Sequence, residues 1–269
     1  MGVSWLKRDD TAFKYLAIVA LLLILLLTST PIMVALSRGF AIEEEFMRDF
    51  MNSLLLSVFS SLTSSSISTL LAIPLSYYTS RFLRGLSRRI VYSLLMMPVV
   101  ITPSAIGSLL LEFFTVNPIG IFMDRFIGVV NSVVGVVVAQ VFVSLPVAFA
   151  YYSGLFTGTP RVYEELALEA GFSRGSYLYR VLLPMLKRQV IAGYALTYAR
   201  AFSDFGATLI LGGGVRGRTW TLPILVYSAT YMGGLSTVSV VLIIYILLAF
   251  TTYYALTGLE TMRRSEVGV

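Results

Sequence analysis

Residues 212–219, Gly-Gly-Gly-Val-Arg-Gly-Arg-Thr, come within one position of a loop that holds phosphate. Gly212, Gly217 and Thr219 have the spacing in which backbone N–H groups cradle phosphates, a lysine neutralises them and the hydroxyl holds magnesium. Arg218 stands in the lysine's place, and its broad planar fork is a poor substitute for a compact ammonium. The next residues are Trp220-Thr221-Leu222-Pro223, so a helix opens at Pro223, about four residues too late to aim its N-terminus at the phosphates. We therefore do not read a nucleotide site here. The other reactive pairing is Arg200 and Asp204, four apart, which share a face and can pair if one helix carries both. With no histidine and no cysteine in the chain, thiolate, imidazole and most zinc chemistry is excluded. An intramembrane aspartyl protease needs two carboxylates within the membrane. Only Asp204 falls clearly inside an apolar run, with Glu112 near the end of another. We expect no catalytic residue and no metal ligands in this chain.

The elements that position these residues are apolar. The chain has 269 residues, 57% hydrophobic and 13% charged, with mean hydropathy +0.84, against about a quarter charged in a soluble domain. A helix needs about 20 apolar residues to cross a bilayer core. Six runs qualify, near 15–36, 53–79, 90–114, 133–156, 189–211 and 235–257. The expected architecture is all-α and polytopic: a cytoplasmic segment 1–14, a six-helix membrane domain 15–257 with a long cytoplasmic loop 157–188 between helices 4 and 5, and a cytoplasmic tail 258–269. The first run is read as a retained span rather than a cleaved signal peptide. Fourteen of the twenty Lys and Arg residues lie at the N-terminus, after helices 2 and 4, and in the tail. Arg38, Arg48, Arg125, Arg216 and Arg218 lie on the other side. That bias puts both termini in the cytoplasm, and it accounts for the net charge of +6 without invoking nucleic acid. The serine-rich second run suits close helix packing.

The loop 157–188 carries the most local information. Thr159 and Pro160 followed by Glu164 and Glu165 read as a helix start, with Thr159 as its cap. Gly171 stops that helix, Ser173 caps a second one, and Pro184 ends it. The spacing Glu165-Leu166-Ala167, three residues, Gly171, nine residues, Val181, one residue, Leu183-Pro184 resembles the cytoplasmic-loop motif of the permease subunits of ATP-binding-cassette importers. Leu166 stands for an alanine and Val181 for an isoleucine. The resemblance implies docking of a separate ATPase subunit, through Glu164, Glu165, Ala167, Gly171, Val181, Leu183 and Pro184. Two ATPase copies would close on ATP and drive alternating access, so ATP and magnesium belong to the partner and no cofactor to this chain. Glu165 is the candidate for a cross-subunit ion pair, and a charge at a helix N-terminus in any case.

A second stretch is similar to molybdate permeases, with parts shared by sulfate, tungstate, iron(III) and thiamine permeases. It comprises Arg200-Ala201, Asp204-Phe205-Gly206-Ala207, Gly212, Gly217, Thr221-Leu222-Pro223 and Tyr227; molybdate permeases usually carry Glu where Asp204 stands. This implies import of a tetrahedral oxyanion, molybdate or tungstate, delivered by an extracytoplasmic binding protein to a permease homodimer in the cell membrane. Other cargoes of the same class, among them a polyamine or a sugar, are the alternative; an intramembrane enzyme or a channel is the remote one. An anion path should be lined by hydroxyls, small residues and backbone donors: Thr102, Ser104, Gln140, Ser144 and Ser203 are candidates, beside Arg200 and Asp204. Arg216 and Arg218 are candidates for meeting the binding protein's acidic rim.

Overall fold

The structure, a computed structural model, describes residues 4–38, 44–232, 238–251 and 254. All regular elements among them are helices: α1 (Ser4–Arg38), α2 (Glu44–Arg81), α3 (Gly85–Val100), α4 (Pro103–Val116), α5 (Pro118–Ile127), α6 (Val133–Gly158), α7 (Val162–Glu169), α8 (Arg174–Tyr177), a π-helical turn (Leu178–Leu182), α9 (Leu183–Met185), α10 (Lys187–Phe202), α11 (Gly206–Gly212), α12 (Leu222–Met232) and α13 (Val238–Thr251). They fall into two compact units, Met1–Glu44 with Val226–Phe250, and Glu45–Leu225 with Thr251–Val269.

In the first unit, α1 is one continuous helix whose leucines and isoleucines face outward all round: Leu16, Leu22, Ile24 and Leu27 are all exposed. A helix apolar all round belongs in a membrane or a protein interior, and α1 is long and apolar enough to cross a membrane. Its Thr28 and Thr30 hydroxyls donate to the carbonyls of Ile24 and Leu26, which satisfies both hydroxyls within the helix. α1 is helical from Ser4, so it includes most of the expected cytoplasmic segment 1–14. Of the expected sixth span, residues 238–251 are helical, while its first residues and the tail 258–269 lie outside the described residues.

The second unit is built on two parallel helices. Ser64, Ser76 and Ser80 of α2 donate to the carbonyls of Val137, Phe149 and Ser153 of α6, and Ser68 reaches Val141 O. The separation is 73 residues at every rung. A constant positive offset means that the two helices run in the same direction and in register. Every fourth position, serine at 64, 68, 76 and 80 with Ala72 between, falls on one narrow stripe. The stripe lets the backbones approach, and each hydroxyl adds a hydrogen bond of about 0.6 kcal/mol in a membrane setting.

Two expected spans are broken. The run 90–114 is not one helix: α3 and α4 meet at Ile101–Thr102 with a 108° bend. Pro103 has no N–H to continue the ladder and forces Thr102 into extended backbone (ψ 143°). The run 189–211 breaks between Phe202 and Gly206 into α10 and α11. Three helices among the described residues, or four with α3–α4 counted as one, are long and apolar enough to cross a membrane. α12 is a helix that the six-span reading did not contain.

Candidate functional site

At one end of α2 stands the segment that follows α6. Thr159, expected to cap α7, caps the end of α6 instead. Its N–H donates to Phe156 O and its hydroxyl to Leu155 O, because the residue before a proline prefers extended backbone and so ends a helix. Arg161 then opens α7, accepting from the Glu164 and Glu165 N–H groups. Gly171 closes it at φ +86°, in the left-handed region where a side chain is costly. The Phe172 N–H reaches Ala167 O and the Gly171 N–H reaches Leu168 O, the paired bonds of a Schellman end. Ser173 caps α8 as expected, its hydroxyl accepting from the Ser176 N–H.

Pro184 does not terminate the second helix. It sits inside α9, after a turn in which the Leu183 N–H reaches back five residues to Leu178 O. This widened turn seats Tyr177, Leu178 and Leu182 in a cluster with Phe149, Tyr152 and Phe156, with Val181 and Leu183 packed at its edge. Burial raises the Tyr177 phenol above its ordinary range, an effect the neighbouring Arg81 partly offsets, so it stays neutral.

α7 divides its residues sharply. Glu164 and Ala167 point inward; Val162, Tyr163, Glu165 and Leu166 are exposed. Phe172, Tyr179 and Met185 add to an exposed apolar surface, with Pro184 exposed beside them. Of the two glutamates, it is Glu164 that the fold engages. Its carboxylate lies 3.7 Å from Arg81 Nε at the end of α2 and 3.9 Å from Arg174 Nε. In the sequence Arg81 stood out only as one charge in a basic loop.

The loop with the phosphate-like spacing lies at the other end of α2. Arg216 donates to Asp49 Oδ2 through Nε, and its Nη2 lies 3.0 Å from Glu45 Oε1, both on the first turns of α2. From Asp49 to Arg81 is about 48 Å along the helix at 1.5 Å per residue, more than the roughly 40–45 Å of a whole bilayer. The loop is closed on itself: the Val215 N–H donates to the buried Thr219 hydroxyl, and the Trp220 indole donates to Gly214 O. The hydroxyl that would hold magnesium and an N–H that would face phosphate are spent on each other. Arg218 is exposed and makes no ion pair among the described residues.

The remaining candidates gather at the helix breaks. Arg200 and Asp204 are not on one helix, since α10 stops at Phe202, and the buried Asp204 does not pair with Arg200. Its Oδ2 accepts from the Thr208 N–H at 2.9 Å and the Thr208 hydroxyl at 2.7 Å, tying down the first turn of α11. The exposed Ser203 donates to Arg200 O. α4 and α11 touch backbone to backbone: a β-carbon on Gly206 would lie 2.6 Å from the Ser104 hydroxyl, and one on Gly107 would lie 2.9 Å from Ala207 Cα. Thr102, which caps α4 through the Ala105 N–H, is exposed, as is Ser104. Thr102, Ser104, Ser203 and Asp204 thus cluster where the two broken segments meet. Gln140 and Ser144 do not join them. They are buried in the α2–α6 seam, where Gln140 accepts from Ser64 and Ser144 meets Ser68.

Comparison with known proteins adds relatives to this geometry. The family model described as "Binding-protein-dependent transport system inner membrane component" matches residues 64–261. A probable molybdenum ABC transporter permease protein of Haloferax volcanii is 36% identical over 180 residues, 65% of this chain and 64% of its own length. A molybdenum transport system permease protein of Mycobacterium tuberculosis is 35% identical over 177 residues, 65% of this chain and 67% of its own. A sulfate transport system permease protein of Escherichia coli is 28% identical over 178 residues, 65% of this chain and 61% of its own. The match therefore spans just under two thirds of the Haloferax protein.

Proposed function

The chain belongs to the family of binding-protein-dependent transport system inner membrane components, and from that premise we propose that it is the permease subunit of an importer that carries molybdate or tungstate into the cell. It is a multi-pass membrane protein and a transporter subunit, not itself an enzyme. A separate ATPase subunit binds ATP and magnesium, and two copies of it drive two copies of the permease, whose six spans each surround one path. Both termini face the cytoplasm.

One observation carries this reading: segment 160–184 is folded, lies at the end of α2 and outside the apolar runs, and yet presents Val162, Tyr163, Leu166 and Tyr179 to the surroundings. Exposed apolar surface on an ordered, non-membrane segment is what a protein partner buries. Glu165 sits on that face, available to a cation on the ATPase, and Ala167, Gly171, Val181, Leu183 and Pro184 shape it. The path runs past Thr102, Ser104 and Ser203 at the paired breaks, where freed backbone donors suit an oxyanion. Arg218, with Arg216 behind it, meets the binding protein at the opposite end.

The molybdenum relatives support the cargo, and the sulfate relative supports sulfate as the second reading. The test is uptake by vesicles holding the permease and its ATPase, supplied with loaded binding protein. We expect ATP-dependent molybdate uptake, competed by tungstate and weakly by sulfate. Uptake that none of the three oxyanions competes for would remove the cargo reading; no ATP-dependent uptake of any solute would remove the transporter reading.

A further inference from the structure

One buried arginine joins three elements that the transport cycle has to move together. Arg81 is the last residue of α2, and its side chain is only 4% exposed. Its Nη2 donates to Thr159 O at 2.9 Å, a carbonyl at the capped end of α6. Its Nε faces Glu164 on α7 at 3.7 Å. Glu164 also faces Arg174, whose guanidinium lies 4.7 Å from the centre of the Phe82 ring, one residue beyond α2. Removing one partner from a buried ion pair leaves the other charge uncompensated, so such a pair holds one arrangement strongly.

Apart from Glu164, α7 is anchored by Ala167, which packs in the cluster with Tyr77 and Tyr177. Of its eight residues only Glu164 and Ala167 are buried. A cavity of about 180 Å³ opens beside the pair, lined by Arg84, Arg161 and Glu165 together with Phe82 and Leu168, so the helix is not packed solid on that side. The turn that follows is anchored differently, through buried Tyr177, Leu178 and Leu182. α2, for its part, is bonded rung by rung to α6.

We infer that Arg81 is a positioning residue that fastens the partner-facing helix α7 to α2, and so passes any displacement of α7 into the parallel pair α2–α6. This rests on the docking reading above. It differs from the exposed loop motif in kind, because the Arg81 and Glu164 side chains are buried within this chain.

The test combines two readouts on Arg81→Met. In the purified permease, hydrogen exchange of amides 162–172 should rise about tenfold or more, with residues 177–182 and α6 unchanged. In vesicles with the ATPase subunit and loaded binding protein, the complex should assemble and hydrolyse ATP, while anion moved per ATP falls at least fivefold; Arg81→Lys should recover much of it. Wild-type exchange at 162–172, or an unchanged ratio of uptake to hydrolysis, overturns the inference. If Arg81→Met does not fold, Arg81→Gln carries both readouts. If the wild-type chain binds no ATPase subunit, the docking reading fails, and the exchange experiment still decides whether Arg81 tethers α7.

Discussion

The hydroxyls of Ser68 and Ser144 meet at 2.8 Å on two parallel helices, 76 positions apart in the chain. They belong to a seam in which Ser64, Ser68, Ser76 and Ser80 of α2 bond carbonyls of α6 at a constant offset of 73 residues. A seam of this kind tolerates no added volume. Ser68→Leu should force the helices apart and cost about 1–3 kcal/mol, as overpacking does, lowering the melting temperature in detergent. Leu70→Val, on the exposed side of the same helix, should leave it unchanged. Equal melting temperatures for both variants would show that the seam is not tightly packed.

Gly171 has open space around it but a φ of +86°, so the demand there is conformational and not steric. Gly171→Val should cost about 1–2 kcal/mol locally and weaken binding of the ATPase subunit about tenfold. Gly171→Asn, which tolerates the left-handed region, should lose much less. Titration of the ATPase against the two variants decides it.

Gly206 presents the reverse case, a close approach at an ordinary φ. Gly206→Ala places a methyl against the Ser104 hydroxyl and backbone nitrogen. It should separate α4 from α11 and reduce uptake by an order of magnitude or more. Ser104→Ala alone should fold normally, and it should not rescue Gly206→Ala, because the Ser104 backbone remains in the way.

Asp204 accepts two hydrogen bonds from Thr208 inside a buried break. Asp204→Ala orphans both donors, at a cost of about 1–3 kcal/mol for a buried unsatisfied group. Asp204→Asn keeps an acceptor and should fall between. Thermal unfolding of the three proteins should rank them wild type, Asn, Ala; an alanine variant as stable as wild type would mean that water takes over the role.

The two loop arginines should separate cleanly. Arg216→Glu sets three acidic groups together with Glu45 and Asp49 and should open the loop, exposing Trp220 to quenchers. Arg218→Glu should leave Trp220 fluorescence as it is and slow uptake, with the defect shrinking at high salt, since exposed charges are screened within about 10 Å at 0.1 M. Loss of uptake in neither variant would reduce the loop to a connector.

Much of this was legible along the chain. Apolar run length identified a helical membrane protein, and the Gly171 turn, the Ser173 cap and the acidic first turn of α7 followed from local spacing, because each depends on atoms within about five residues. The ends of helices were less secure. Pro103 and Pro160 act one residue earlier than a propensity reading suggests, so Thr102 interrupts the run 90–114 and opens α4, and Thr159 closes α6 rather than opening α7. What only the tertiary structure decided was which neighbour occupies each polar group. Glu164 turns inward and Glu165 outward, although both suit a helix start equally. Asp204 is taken by Thr208 after a break and not by Arg200 along a helix. Arg216 is held by Asp49, 167 positions away, and the phosphate-like spacing of 212–219 dissolves because Thr219 accepts from its own loop. A hydrogen bond belongs to whichever partner the packed chain brings within reach, and that choice is made across distances that no local pattern records.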